Sequence, residues 1–284
     1  MKTQYLFLIL FISLLSCKKN SPAPGEKIPD SDTLIQNISY GSNAANVLDL
    51  YLPANRDANT KVVIMIHGGG WNAGDKKELA FLAQGLKDRG FAVANINYRL
   101  SPQSDDNYKM QLDDISAVEN WLVNKAGMYS YSSKNIYITG HSAGAHLSLS
   151  FAYTRNTNNK IKAAGGMATP TDLVAGATAN FGIVGANTIT PYLGGPLNAA
   201  TLAKYENASP LYHVSNSTVP TILFQGNVDF IVPLAQATAL DNKLKENGVP
   251  EKLIVYNGVF HDWWGDANLV KNTLDETAAW FNKY

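Results

Sequence analysis

Cysteine is nearly absent from this sequence: Cys17 is the single one in 284 residues. A lone thiol cannot close an internal disulfide, so the fold has to be held by its core. Charge is sparse too, at 16% of residues with a formal net of zero, and lysine and arginine are scattered along the chain. That excludes the basic stripe on which a nucleic-acid-binding surface depends. No segment repeats at a fixed period, which excludes solenoids and propellers. Beyond the N-terminus no apolar run approaches the roughly 18 residues that span a bilayer. Cysteine and histidine do not cluster at metal-ligand spacing, and no phosphate-binding glycine fingerprint follows a first strand. Neither a metal nor an organic cofactor is therefore indicated. What is there is apolar material, 45% of the chain, enough at this length for one large domain with a continuous core.

The start of the chain reads separately from the rest. Lys2 precedes an apolar stretch over residues 5–15 interrupted at Ser13, and then come Ser16 and Cys17. A charged start, an apolar centre and a small-residue exit make up an export signal, so residues 1–16 are expected to be a signal peptide. Leu14-Leu15-Ser16-Cys17 also resembles the lipobox of bacterial lipoproteins, in which cleavage leaves the cysteine first and acylated. The resemblance implies export, lipid attachment at Cys17, and residence in the cell envelope, with that anchor as the sole membrane contact. Residues 17–32, with three prolines and a glycine, read as a tether. The folded domain is expected over 33–284.

Within that domain apolar periodicity switches between two values. Val47–Leu52 alternates apolar and polar residues up to Pro53, as a half-buried strand near a sheet edge should. Residues 61–67, 91–97, 135–140, 161–168, 220–226 and 251–256 are short runs rich in β-branched side chains, hence strand candidates. Between them lie helical patterns over 78–89, 110–126 (Ile115, Val118 and Leu122 on one face), 143–154, 233–247 and 269–282. Alternation of this kind predicts an α/β fold with a mostly parallel central sheet and helices on both faces. Ligand sites in such sheets lie beyond the carboxyl ends of the strands. Residues 171–207 carry no strong helical period and read as a loop insertion forming part of a substrate wall.

Two glycine-bearing segments sit at such strand ends. Gly140-His141-Ser142-Ala143-Gly144 lies between a strand and a helix, where a serine at the apex of a strained turn projects its hydroxyl and glycines relieve crowding on either side. The following helix start offers the Ala143 N–H and a partial positive charge to a developing oxyanion. Earlier, in His67-Gly68-Gly69-Gly70-Trp71, three consecutive glycines free several amides to face one cavity. His67 is expected to brace that loop rather than to react.

A nucleophilic serine in this setting needs an acid and then a histidine later in the chain. Of five histidines, His67 precedes Ser142, His141 and His146 are its sequence neighbours, and His213 lies in a loop ahead of a strand. His261, just past the strand ending at Tyr256, is the candidate base. Asp229, after the strand ending at Gly226, is the candidate acid that would hold the imidazole in the right tautomer. Asp262 and Asp266 are rivals by proximity, less favoured because a neighbour on the same loop rarely reaches Nδ1. Trp71 and Trp263 are taken as substrate-binding, and Phe181, Tyr192, Tyr205 and Trp264 as further candidates to stack on a sugar or phenolic group.

With these residues in view, the sequence from about Asn46 onward resembles the feruloyl-esterase-like and acetylxylan-esterase-like branch of the α/β-hydrolases, near the hormone-sensitive-lipase group. Gly68-Gly69-Gly70-Trp71, the stretch from Asn97-Tyr98-Arg99 to Pro102, Asp113-Asp114 ahead of Trp121-Leu122, and Val232-Pro233 match that pattern in order. The resemblance implies the α/β-hydrolase fold, a Ser142, Asp229 and His261 triad, and the amides of Gly69, Gly70 and Ala143 as oxyanion donors. It also implies serine carboxylic-ester hydrolysis through an acyl-enzyme, with small-molecule or polysaccharide esters as substrates. Two residues depart from relatives: His141 stands where hormone-sensitive-lipase relatives carry an acid, and Phe260 where many carry glycine, which is expected to narrow the pocket. Kynurenine formamidases are similar as well but tend to carry an aromatic where Gly70 stands. A peptidase or amidase on the same scaffold, and a catalytically silent binding protein, are the alternative readings.

Overall fold

The structure is a computed structural model that describes residues 31–101, 107–178 and 185–284. The expected signal peptide, Cys17 and Phe181 lie outside the described residues. Eight strands form one sheet: β1 (Thr33–Ser39), β2 (Val47–Leu52), β3 (Val62–Ile66), β4 (Ala92–Ile96), β5 (Ile136–His141), β6 (Ile161–Met167), β7 (Thr221–Gly226) and β8 (Glu251–Tyr256), in the order β1-β2-β4-β3-β5-β6-β7-β8. Among the described residues only the β1–β2 and β2–β4 pairs are antiparallel. From β4 to β8 the sheet is parallel.

Strand β3 shows why the sheet is buried on both faces. All five of its residues are apolar and buried. The two-residue period sends Val62, Ile64 and Ile66 into one core and Val63 and Met65 into the other. Helices α2 (Asn107–Tyr129), α3 (Ala143–Thr154) and α7 (Leu234–Glu246) cover the first face with side chains such as Ile115, Leu147 and Leu240. Helices α1 (Ala80–Lys87) and α8 (Ala267–Lys283) cover the second with Leu82, Leu86, Ala278 and Phe281. Each large apolar side chain among these contributes about 1.5–3 kcal/mol on burial, so the two layers fix the sheet and with it the strand ends. This is the α/β-hydrolase fold.

Two expectations need correction. Strand β2 lies near the sheet edge, second from it, but it is buried almost throughout rather than half-buried. The added edge strand is β1, whose pairing of Leu34 with Tyr51 no local pattern announces. The misleading polar position was Asp49, which is buried because Lys76 Nζ and the Asn37 amide both donate to its carboxylate, at 3.0 and 2.8 Å. Residues 171–207, expected as a loop, contain three short helices, α4 (Leu173–Thr178), α5 (Gly185–Tyr192) and α6 (Leu202–Ala208). Helices of six to eight residues are held by tertiary packing rather than by an amphipathic period, which is why no period was visible.

Candidate active site

Strand β5 passes directly through Ser142 into α3, and Ser142 sits at φ 53°, ψ −121°. A non-glycine residue in the positive-φ region costs on the order of 1–3 kcal/mol and persists where its surroundings over-determine it. Two backbone bonds do so: the Ser142 amide donates to Met167 O at 2.8 Å, and Ser142 O accepts from the His146 amide at 3.0 Å. Gly144 lets the helix start lie against strand β3, since a Cβ there would fall 2.1 Å from Ile66 O. Ala143 opens the helix, and its N–H therefore has no intrahelical acceptor.

The hydroxyl of Ser142 lies 2.9 Å from His261 Nε2, and His261 Nδ1 lies 2.8 Å from Asp229 Oδ2. Asp229 is locked in place. Its Oδ1 accepts from the amides of Ile231 and Val232, both at 2.8 Å, and its Oδ2 accepts from Gln225 Nε2 at 2.9 Å. These three hydrogen bonds fix the orientation of a carboxylate whose side chain is fully buried. Gln225 was missed in the sequence; its signal is an amide side chain near the end of the buried strand Thr221–Gly226, four residues before the acid. Of the rival acids, Asp266 caps α8 by accepting from the amides of Asn268 and Leu269, and Asp262 lines the cavity mouth.

The glycine loop closes over the other side of Ser142. Gly69 takes φ +103°, where an added Cβ would lie 2.2 Å from Ala73 O, because the amides of Asn72 and Ala73 both donate to Gly69 O. Gly69, Gly70 and Ala143 line one cavity of about 590 Å³ with Ser142 and His261. His67 braces the loop from behind: Nδ1 bonds Gly68 O at 2.7 Å and the ring stacks on Tyr98 at 4.5 Å. Burial lowers its pKa. His213 is remote, bonded to Asn207 O.

Trp71 forms part of the cavity wall, with its ring stacked 4.3 Å from that of Tyr192. Trp263 does not reach the cavity. It is buried, donates from Nε1 to Thr273 Oγ1 at 2.9 Å and packs on Tyr256. Its neighbour Trp264 lines the cavity instead, edge-on to His141 at 5.1 Å, because consecutive residues on the loop point to opposite sides. Tyr205 is core, its hydroxyl bonded to Gly195 O. Phe260 is 58% exposed and packs against Phe230 outside the cavity, so its bulk does not narrow the pocket. His141, by contrast, belongs to the cavity. Its Nε2–H donates to His261 O at 3.0 Å, tying the serine turn to the histidine loop, and burial and the neighbouring His261 push its pKa down to about 4.

His146 carries a prediction about stability. It is fully buried, Nδ1 accepts from Trp71 Nε1 at 3.1 Å, and Nε2 donates to Ala208 O at 2.7 Å. Only the neutral ring satisfies both partners, and burial holds its pKa down at about 4. An unfolded imidazole titrates near about 6.5. Above that pH both states are neutral. As pH falls from there towards 4, the unfolded chain binds the proton first and stability is lost, on the order of 3 kcal/mol from this residue. Tm is expected to fall steeply over that window, and His146→Gln, which keeps polar contacts but cannot ionise, is expected to flatten the fall while lowering Tm at pH 8. An unchanged slope in a Tm-versus-pH series would remove His146 from the explanation.

Comparison with known proteins adds the following. The BD-FAE family model matches residues 48–244. A probable isoprenylcysteine alpha-carbonyl methylesterase from Oryza sativa subsp. japonica is 30% identical over 250 residues, covering 81% of this chain and 57% of the relative. The chain thus spans a little over half the length of the curated relatives it matches first. Among solved structures, a bifunctional GH43-CE protein of Bacteroides eggerthii superimposes with a TM-score of 0.76 at 26% identity, over 90% of this chain and 38% of that one. A truncated carbohydrate esterase from gut microbiota superimposes with a TM-score of 0.75 over 90% of this chain and 99% of that one, and at 24% identity it speaks for the fold alone.

Proposed function

The chain belongs to the BD-FAE family of α/β-hydrolases, and from that premise we propose that it is a serine carboxylic-ester hydrolase acting through an acyl-enzyme. Its substrates in this reading are acyl or feruloyl esters of plant polysaccharides, or small esters. The observation that carries the proposal is the unbroken relay from Ser142 Oγ through His261 to a buried, fully hydrogen-bonded Asp229. Ser142 Oγ attacks the acyl carbon as His261 Nε2 takes its proton, and Asp229 holds the imidazolium that results. The carbonyl oxygen, now negative, turns to the amides of Gly69, Gly70 and Ala143, which lie on the same cavity. Collapse expels the alcohol, which leaves with the proton from His261. Water then repeats the sequence on the acyl-enzyme, releasing the acid and restoring Ser142. No metal is needed at any step.

Support for the polysaccharide side comes from the bifunctional GH43-CE protein among the structural neighbours, 26% identical to this chain. The cavity is wide enough for more than an acetyl group and is walled by Trp71, Leu79, Ile189 and Trp264. Purified protein is expected to hydrolyse 4-nitrophenyl esters of short and medium acyl chains, and to release acid from acetylated xylan or methyl ferulate, with full activity in EDTA. Turnover of anilides without turnover of any ester would replace this reading with an amidase. Loss of activity in EDTA, restored by zinc or calcium, would replace the mechanism.

We further propose that the chain is exported and held in the envelope through a lipid on Cys17. At the end of the stretch read as the tether, Arg56 donates to Ser31 O at 2.9 Å and Lys87 pairs with Asp32. Cys17→Ser is expected to move the protein into soluble fractions with kcat intact. Unchanged membrane association in fractionated cells would refute the anchor.

A further inference from the structure

The lining of the cavity has charge of one sign only. It includes two carboxylates, Glu78 and Asp262, two imidazoles, His141 and His261, and neither lysine nor arginine. The His141 ring is neutral at physiological pH, since its pKa is pushed down to about 4. Neither carboxylate is in an ion pair among the described residues. Nor do the two internal segments outside them supply a cation, for residues 102–106 read Pro-Gln-Ser-Asp-Asp and 179–184 read Ala-Asn-Phe-Gly-Ile-Val. Of the two lysines just before Glu78, Lys77 is exposed and lies outside the cavity lining, and Lys76 is buried and bonded to Asp49 and Asn37 at 3.0 Å each.

Both carboxylates are held at the rim by structure rather than by chance. Glu78 belongs to the 3₁₀ turn Lys76–Leu79, which a capping box closes: Glu78 Oε1 accepts from the Asp75 amide at 3.2 Å while Asp75 accepts from the Lys77 amide at 2.9 Å. The turn is anchored at one end by the Lys76 amide on Asn97 Oδ1 and at the other by the buried Leu79. Asp262 follows His261 directly, on a loop fixed by the His141 bond to His261 O.

We infer that the site admits neutral and cationic esters and rejects those carrying a carboxylate near the scissile bond, with Glu78 and Asp262 as the residues that discriminate. This rests on ester hydrolysis at Ser142 and narrows its substrate class: among plant polysaccharides, acyl groups on neutral xylan-type chains are taken, and those on uronate chains are not. Two repulsions at about 8 Å, at an effective dielectric near 40, amount to roughly a 30-fold penalty against the anion. Because both carboxylates are solvent-exposed, that penalty is screened by salt.

The test compares mono(4-nitrophenyl) glutarate with its neutral methyl ester, and in parallel titrates 4-acetylbenzoate and its methyl ester against the fluorescence of the cavity tryptophans. Wild type is expected to favour the neutral ester by about 30-fold in kcat/KM and the neutral ketone similarly in Kd. Both ratios are expected to fall below about 5 in Glu78→Gln/Asp262→Asn, and in wild type at about 1 M salt. The amide oxygen of the substituted glutamine retains the capping acceptor, so the variant is expected to keep the wild-type Tm. Acetate release from acetylated xylan but not from acetylated polygalacturonate is the corresponding result on polymers. Ratios near one in wild type, or ratios that survive the double substitution, overturn the inference. If neither ester is turned over but the binding ratio behaves as expected, the hydrolase reading fails and the charge selectivity stands.

Discussion

Ser142→Ala is expected to abolish ester turnover, with kcat reduced on the order of 10⁶-fold as when the nucleophile of a triad is removed, and to abolish covalent labelling by an aryl phosphonate. The folded state should survive. The hydroxyl contacts His261 Nε2, whereas the turn itself is held by backbone bonds to Met167 and His146 that alanine retains. Alanine at φ 53° carries about the same strain as serine, so the Tm should move little. Mass spectrometry of the phosphonate-treated proteins checks the assignment. Persistent labelling at another serine in the variant would move the nucleophile elsewhere and dissolve the relay.

Asp229→Asn is expected to lower kcat by about 10³–10⁴-fold, and the local hydrogen bonds say why. The amides of Ile231 and Val232 both point at Oδ1, so the asparagine oxygen has to stay there. The new amide nitrogen must then occupy the place of Oδ2, facing His261 Nδ1 and Gln225 Nε2. Gln225 can turn its partnerless Oε1 towards that nitrogen only by giving up the bond from its Nε2 to Val232 O. His261 can adapt only by accepting at Nδ1, which puts its proton on Nε2 and leaves nothing to take the Ser142 proton. Asp266→Asn replaces one good helix cap by another and should cost less than about tenfold in kcat, as should Asp262→Asn on a neutral ester. Pre-steady-state acylation rates measured for the three variants separate them. A defect concentrated in Asp266→Asn would place the acid on the wrong strand end.

The parts of this protein legible in its sequence are those written contiguously. A strand, a glycine-flanked serine and a helix occupy 135–154 without interruption, and the triple glycine directly follows a strand, so local sterics alone declare both turns. Periodicity likewise declares the two buried helical layers and the parallel strands, because each reports on a face of its own element. Only tertiary structure decided what depends on partners distant in the chain. The pairing of β1 with β2 hides Asp49 and turns a strand expected to be half-buried into a buried one. Gln225 becomes the third support of Asp229, His141 ties the serine turn to a loop 120 residues away, and Trp264 rather than Trp263 faces the cavity. Sequence order carries no information on which side of a loop a residue points to, since that is chosen by the packing of α8 and the histidine loop against the sheet. The charge of the cavity mouth is the clearest case. Glu78 and Asp262 stand 184 positions apart and share one rim because strands β3 and β8 end on the same side of a parallel sheet.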